Sequence, residues 1–297
     1  MTVVLVTWIL VLMALFGVHQ TRDVTVEARA VARGIEEQRV RASARSGIEL
    51  ARHVLANTSA AARPLLTRPE PGDPLAGVHR CGDARFAVGV LRDDAWFATW
   101  RDGLADEGAR LPVANADVTA LTSLPGFEDV DAETVLDAVA SAAPARVAPW
   151  SALDLRAVAR ARAETTLSRF ATSVNVNTAP EMVLRAAGVP RRAAEEFVAW
   201  RAGSDGREGT SDDRTLGRIE DWIESGHDAR PDGDAAATIS YLQATGRLST
   251  VSDHFRIRVR GWIPGGRAVC EVEAVLETAD DGLPRVVQLT EHWSREG

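Results

Sequence analysis

VNVNTAPEMVLRAAGVP, residues 174–190, is the stretch on which the reading of this chain turns. It reads as a short extended piece, a cap and a helix. Thr178 is placed to supply a capping hydroxyl, and Pro180 suits a first helical turn, where no backbone N–H is needed. Glu181 favours the positive end of the helix dipole. Met182, Val183 and Ala186 follow at helical spacing, and Gly188-Val189-Pro190 ends the helix. A helical pattern resumes over 191–201. The whole reads as a helix-hairpin-helix, a shape used for both DNA and protein contacts.

Moving outward, a weak internal repeat precedes it. PVANADVTALTSLPGF (112–127) can be laid on NVNTAPEMVLRAAGV (175–189) so that Val113 matches Val176, Ala116 matches Ala179 and Leu121 matches Leu184. The pattern is helical from Gly103 to Leu248. Strand patterns flank it: RFAVGVL (85–91) before, and HFRIRVRGWI (254–263), AVCEVEAVLET (268–278) and RVVQLTEHW (285–293) after. Phe255, Ile257 and Val259 alternate with Arg256, Arg258 and Arg260. Pro264-Gly265-Gly266 and Asp280-Asp281-Gly282 read as hairpin turns. Three hairpin-linked strands make an antiparallel sheet with one face free to cover a helix. Thr58 to Gly82 reads as loop, broken by Pro64, Pro69, Pro71 and Pro74.

The first 21 residues, MTVVLVTWILVLMALFGVHQT, carry no ionised side chain before Arg22. As a helix they span about 30 Å, the thickness of a bilayer core. A cleaved signal peptide needs a basic start and an early small-residue site. Here there is no basic start, and the small-x-small sites lie beyond Arg22 and Asp23, so a retained anchor is expected. Val24, Ala28, Val31 and Ile35 then recur at steps of four and three. Val40, Ala44, Ile48, Ala51 and Leu55 continue the stripe with a small phase slip. One helix from about Val3 to about Ala56 follows, weakened locally at Gly34 and Gly47.

At 297 residues the chain can hold one large or two ordinary domains plus an appendage, and 45% apolar residues suffice for a sizeable core. The net charge is −8 and every cation of the Lys/Arg class is an Arg. An acidic balance argues against a general nucleic-acid binder. Cys81 and Cys270 fit either one bridge or two small buried apolar residues. No GxSxG, P-loop, HExxH, CxxC or dinucleotide-binding fingerprint occurs, and the six histidines are scattered, so catalysis is not expected. One ligand-like cluster stands out. In GSDGREGTSDDR (203–214), Asp205, Glu208, Asp212 and Asp213 place hard oxygens on a Gly-rich loop, a donor set that suits Ca²⁺. It fails EF-hand spacing. The alternative is a solvated turn in which Asp212 or Asp213 caps the helix RTLGRIEDWIES. HDARPDGDA (227–235) is a second, weaker acidic loop.

An apolar N-terminal helix, a small antiparallel sheet and a helical domain inserted between its strands, together with VNVNTAPEMVL, resembles the K-type minor pseudopilins of the type II secretion system. LADEGARLPVANADVTALTSLPGF (104–127) looks like that family's first Asn-x-Asn-Thr segment, with Ala114 and Asn115 where Asn and Thr are expected. LVTWILVLMAL and EEQRVRASARSGIELARHVL are similar to its N-terminal helix. STVSDHFRIRVRG looks like the start of its closing strands.

The resemblance implies an α+β fold, a pilin-like long N-terminal helix on a small antiparallel sheet, with a large helix-hairpin-helix or SAM-like domain inserted between strands. Residues 1–21 would be the transmembrane segment, 22–102 the pilin-like helix and first strand, 103–248 the inserted helical domain and 249–297 the closing strands. It implies a structural subunit at the pseudopilus tip, acting in export across the outer membrane. The subunit would cross the inner membrane once, with its globular part in the periplasm. I- and J-type minor pseudopilins would be its partners, met along Val24, Ala28, Val31 and Ile35. Calcium is known in the helical domain of the family, which points again to Asp205, Glu208, Asp212 and Asp213. The family is made with a short basic leader, and this sequence starts at Met1 without one, so it either begins near the mature end or has a misassigned start. Most pseudopilins carry Glu near mature position five, where Leu5 stands here; K-type subunits are the ones that lack it. A buried carboxylate there needs the N-terminal amine of a neighbouring subunit, and a tip subunit has no subunit above it to neutralise.

Three other readings compete: a helix-hairpin-helix DNA-binding membrane protein, a minor pilin of a type IV system, and a membrane-anchored periplasmic enzyme. Against DNA stand Glu128, Asp129 and Asp131 after the first hairpin, which repel phosphate. Only Arg191 and Arg192 flank the second.

Overall fold

In a computed structural model, residues 2–94, 97–142, 147–208, 212–224, 230–278 and 282–295 are described. The apolar run and the amphipathic stretch behind it form one helix, α1 (Thr2–Ala56). Its N-terminal part is long and apolar enough to cross a membrane. In the second half of α1, Val40, Ala44, Ile48, Ala51 and Leu55 are buried. Val24, Ala28, Val31 and Ile35 are exposed. At about 100° per residue the two sets lie roughly half a turn apart. The apolar pattern is therefore two faces pointing opposite ways, and not one stripe with a small slip. The lower face meets the chain's own sheet; the upper one does not.

After α1 come β1 (Val78–Cys81), β2 (Ala84–Asp94), β3 (Phe97–Asp102), β4 (Ala105–Asp106) and β5 (Leu111–Pro112). The middle of the chain carries α2 (Val118–Thr122), α3 (Asp129–Ser141), α4 (Ala157–Thr166), β6 (Leu167–Ser168), β7 (Val174–Asn175), α5 (Glu181–Ala186), α6 (Arg191–Arg201), α7 (Ile219–Glu224), α8 (Gly233–Ala244) and β8 (Leu248–Ser249). The closing strands are β9 (His254–Trp262), β10 (Ala268–Glu277) and β11 (Arg285–Arg295).

The fold is α+β. The main sheet runs β1-β2-β9-β10-β11, with β3 on β2 and β4 on β9, and its pairs are antiparallel. Phe255, Ile257 and Val259 of β9, with Val272, Ala274 and Leu276 of β10, pack against the buried face of α1. Their alternation with Arg256 and Arg258 turns those arginines to the other face, where both reach Glu273 at 2.8 and 2.7 Å. The β9–β10 turn falls at Pro264-Gly265-Gly266, as the sequence suggests. In the second turn, Asp280 and Asp281 lie outside the described residues. β1 and β3 fall in stretches the sequence reads as loop or leaves unassigned. β1 is short and alternates between exposed and half-buried positions, so it carries no apolar signature and is held by pairing with β2.

α1 crosses β9 at very short range. A Cβ on Gly261 would stand 2.7 Å from the Val40 carbonyl oxygen and 2.8 Å from the Ala44 nitrogen. From the helix side, a Cβ on Gly47 would stand 2.4 Å from Val259. Glycine in a helix interior costs about 1 kcal/mol against alanine; here it admits the sheet.

The helices between β4 and β9 enclose a second core that includes Leu121, Leu124, Val183, Leu184, Phe197 and Trp222. Its two helical hairpins, α2–α3 and α5–α6, share a local plan. Two residues of strand lead towards each hairpin, β5 paired in parallel with β6 and β7 with β8. The weak sequence repeat thus corresponds to a repeated structural unit.

Both cysteines are free. Cys270 stands opposite Gly261, Gly261 opposite Phe86, and Phe86 opposite His79 of β1. Three strand spacings, about 14 Å, separate β10 from β1, twice the reach of a disulfide. Cys270 is buried among apolar residues.

Candidate functional site

The Asn-x-Asn-Thr segment sits where the helical insert meets the sheet. Asn175 is buried and donates from Nδ2 to Asp106 Oδ2 (3.0 Å) and to Ser252 Oγ (2.9 Å). Its Oδ1 accepts from the Asn177 backbone at 3.0 Å. Asn177 clasps two distant segments, donating to the carbonyls of Leu216 and Thr250 at 3.0 Å each and accepting from the Leu216 N–H at 2.7 Å. Thr178 does not cap the helix. Its hydroxyl donates to Asp106 Oδ2 at 2.5 Å, because a carboxylate buried by folding demands donors more strongly than a solvent-facing helix end does. α5 starts instead after an extended Pro180, with no side-chain cap. Arg201, at the end of α6, ties the same segment from below, donating to the carbonyls of Val176 (2.7 Å) and Ala179 (2.9 Å).

The other half of the junction is Asp106-Glu107. β4 pairs Asp106 with Phe255 of β9, which fixes both carboxyls at the sheet end. Burial pushes the Asp106 carboxyl upward, against the donors Thr178, Ser252, Gly108 and Asn175. Burial acts on Glu107 in the same direction, but there Arg110, Arg256 and Ser168 outweigh it and hold the carboxyl at about 2. The contacts are 2.9, 2.7 and 2.6 Å. No sequence signal singled out these two acids, which sit inside LADEG with no local reason to be buried. The Asn-x-Asn-Thr segment is thus part of a buried polar seam joining insert to sheet.

The four residues of the acidic loop are close in sequence but do not share one donor. Asp213 Oδ2 accepts from Arg68 at 2.8 Å and Glu208 Oε2 from the same guanidinium at 3.2 Å. Glu208 also pairs with Arg201; burial raises its carboxyl, and these arginines bring it below the ordinary value. Asp212 Oδ2 accepts from the Ser204 N–H (2.6 Å), the Ser204 hydroxyl (2.7 Å) and the Asp205 N–H (3.2 Å). Asp205 accepts from the Arg207 N–H at 2.8 Å. Among the described residues, no group of three His, Cys, Asp or Glu side chains is placed to hold a metal ion. A calcium cage needs six to eight converging oxygens; among the described residues these carboxylates meet guanidinium and backbone N–H groups. Neither Asp212 nor Asp213 caps α7, which begins at Ile219. Of the second acidic loop, residues 227–229 lie outside the described residues, and Asp232 caps α8 through the Ala235 N–H at 2.9 Å. The junction and the acidic loop share a cleft of about 610 Å³ whose lining includes Arg68, Asp106, Asn177, Arg201 and Asp213.

The hairpins offer little to a phosphate. Arg191 and Arg192 pair with Glu195 (2.6 Å) and Glu196 (2.8 Å) on the next turn of α6. At the first hairpin, Arg156 donates to Asp131 (2.7 Å), to Glu128 and to the Gly126 carbonyl (3.1 Å). On α1, Val24, Ala28, Val31 and Ile35 meet solvent on the side away from the sheet.

No family model matches the chain, and no curated protein matches it. Among solved structures, the chain is similar to one chain of the crystal structure of the GspK-GspI-GspJ complex from the enterotoxigenic Escherichia coli Type 2 Secretion System. The TM-score is 0.52 and the identity 14%, over 89% of this chain and 99% of that one. At that identity the likeness concerns the fold, which is pilin-like: a long N-terminal helix on an antiparallel sheet.

Proposed function

We propose that this chain is a K-type minor pseudopilin, a structural subunit at the tip of a type II secretion pseudopilus. One observation carries the reading. In a chain with a pilin-like fold, α1 presents Val24, Ala28, Val31 and Ile35 to solvent on the side opposite its own sheet. An apolar face that the chain leaves uncovered, directly above a membrane-spanning segment, suits the equivalent helices of other minor pseudopilins, here of I and J type. The helical insert makes the subunit too broad for a close-packed shaft, which favours a tip position. The globular part would lie in the periplasm. A structural role and not catalysis or nucleic-acid binding is proposed, supported by the pairing of the hairpin arginines within their own helix.

Changing Val31 and Ile35 to Asp tests this. Each charge stranded in a buried contact costs several kcal/mol. The double variant should no longer co-purify with I- and J-type partners, while its circular dichroism stays that of the parent, because neither residue touches the sheet. Changing Arg191 and Arg192 to Ala should leave co-purification intact. Partner capture by the Asp variant at the parental level would overturn the assignment.

A further inference from the structure

We infer that Arg68 is this chain's own cation for the acidic loop: its guanidinium bridges Glu208 and Asp213 where a metal ion would otherwise be required, and it latches the segment after α1 onto the helical insert. Arg68 follows the 3-10 turn Ala60–Thr67, so it belongs to the pilin-like part. Its two partners lie 140 and 145 residues later, in the insert. The two nitrogens of one planar fork take one carboxylate each, a geometry suited to guanidinium and not to a point-charge ammonium. Arg201, itself buried, supplies a second guanidinium to Glu208 from inside the insert. The other two acids are engaged by local N–H groups, Asp212 by those of Ser204 and Asp205 and Asp205 by that of Arg207. Two arginines therefore supply to Glu208 and Asp213 the positive charge that a divalent cation would supply. Arg68, Arg201 and Asp213 all line the cleft between the two parts, so the bridge also sets how far that cleft opens. On this reading the stability of the fold does not depend on calcium.

The test uses the full chain in detergent. Calcium chloride and a calcium chelator are each added, and the thermal midpoint and the rate of limited proteolysis within 58–77 are followed. The parent should show the same midpoint with either addition and no calorimetric binding of calcium. Arg68→Ala should be cleaved about tenfold faster in that segment, since cleavage follows the population of the opened form. Should that variant fold poorly, Asp213→Asn removes the charge from one arm of the bridge while keeping the side-chain size, and should be cleaved at an intermediate rate. A midpoint in the parent that rises with calcium or falls with chelator would overturn the inference. So would parental cleavage rates in both variants.

Discussion

Asn177→Ala separates a seam from a cap. If the segment were only a helix start on the surface, this residue would lie outside the helix, and truncating it would change stability by no more than about 0.5 kcal/mol. In the structure its amide makes three hydrogen bonds, two to Leu216 and one to Thr250, and the residue is 7% exposed. Truncation strands one N–H and two carbonyls. A stranded buried polar group costs about 1–3 kcal/mol. Asn177 lines the cleft, so water can enter the vacated space and recover part of that loss. Taking the low end for each group, the expected destabilisation is about 3 kcal/mol, or roughly 5 °C in midpoint for a chain of this size. Urea unfolding of the full chain in detergent measures it, with Glu181→Ala as the control. Glu181 makes an exposed pair with Arg185 and lies in the first turn of α5, together worth about 0.5–1 kcal/mol. A loss below about 1 kcal/mol in Asn177→Ala, or equal losses in the two variants, would refute the reasoning.

Other outcomes are expected of the same chain. Gly261→Ala places a Cβ 2.7 Å from the Val40 carbonyl oxygen; because that atom is helix backbone and cannot swing away, stability should fall by about 2–3 kcal/mol in denaturant unfolding. Glu107 is held at about 2 against an ordinary 4.5, so its stabilising contribution, on the order of 3 kcal/mol, is full above pH ~4.5 and lost as pH falls towards 2. The raised Asp106 carboxyl works the other way, the folded state taking up its proton first as pH falls. Acid unfolding of Glu107→Gln should accordingly be shallower than that of the parent over this window. Burial pushes the Cys270 thiol up to about 11, so a thiol reagent at neutral pH should label the native chain at Cys81 alone, while intact mass shows no loss of hydrogens to a disulfide.

Much of the architecture is legible locally. The length of α1, the alternation in β9 and the turn at Pro264-Gly265-Gly266 each follow from a period or a turn residue within a few positions. Even the faint match between 112–127 and 175–189 corresponds to a repeated unit, because a strand lead-in and a helical hairpin are both short-range structures. β1 leaves no local signal, since pairing with β2, and not an apolar face, makes it a strand.

Partner choice among polar groups was not legible. Thr178 has two plausible acceptors in sequence terms, a local N–H to cap or a distant acid to bond; Asp106 stands 72 residues earlier, and only the tertiary fold sets them together. The ion pairs of the acidic loop are illegible for the same reason: its four carboxylates declare a need for positive charge but not its source, and only the tertiary fold brings Arg68 to Glu208 and Asp213. Likewise the apolar periodicity of α1 marks residues that must leave water without saying which surface receives them. Periodicity is a one-dimensional record of burial, written over neighbouring residues. Hydrogen bonds and ion pairs are matches between two groups, and in this protein the decisive ones join residues too far apart in the chain for local pattern to relate them.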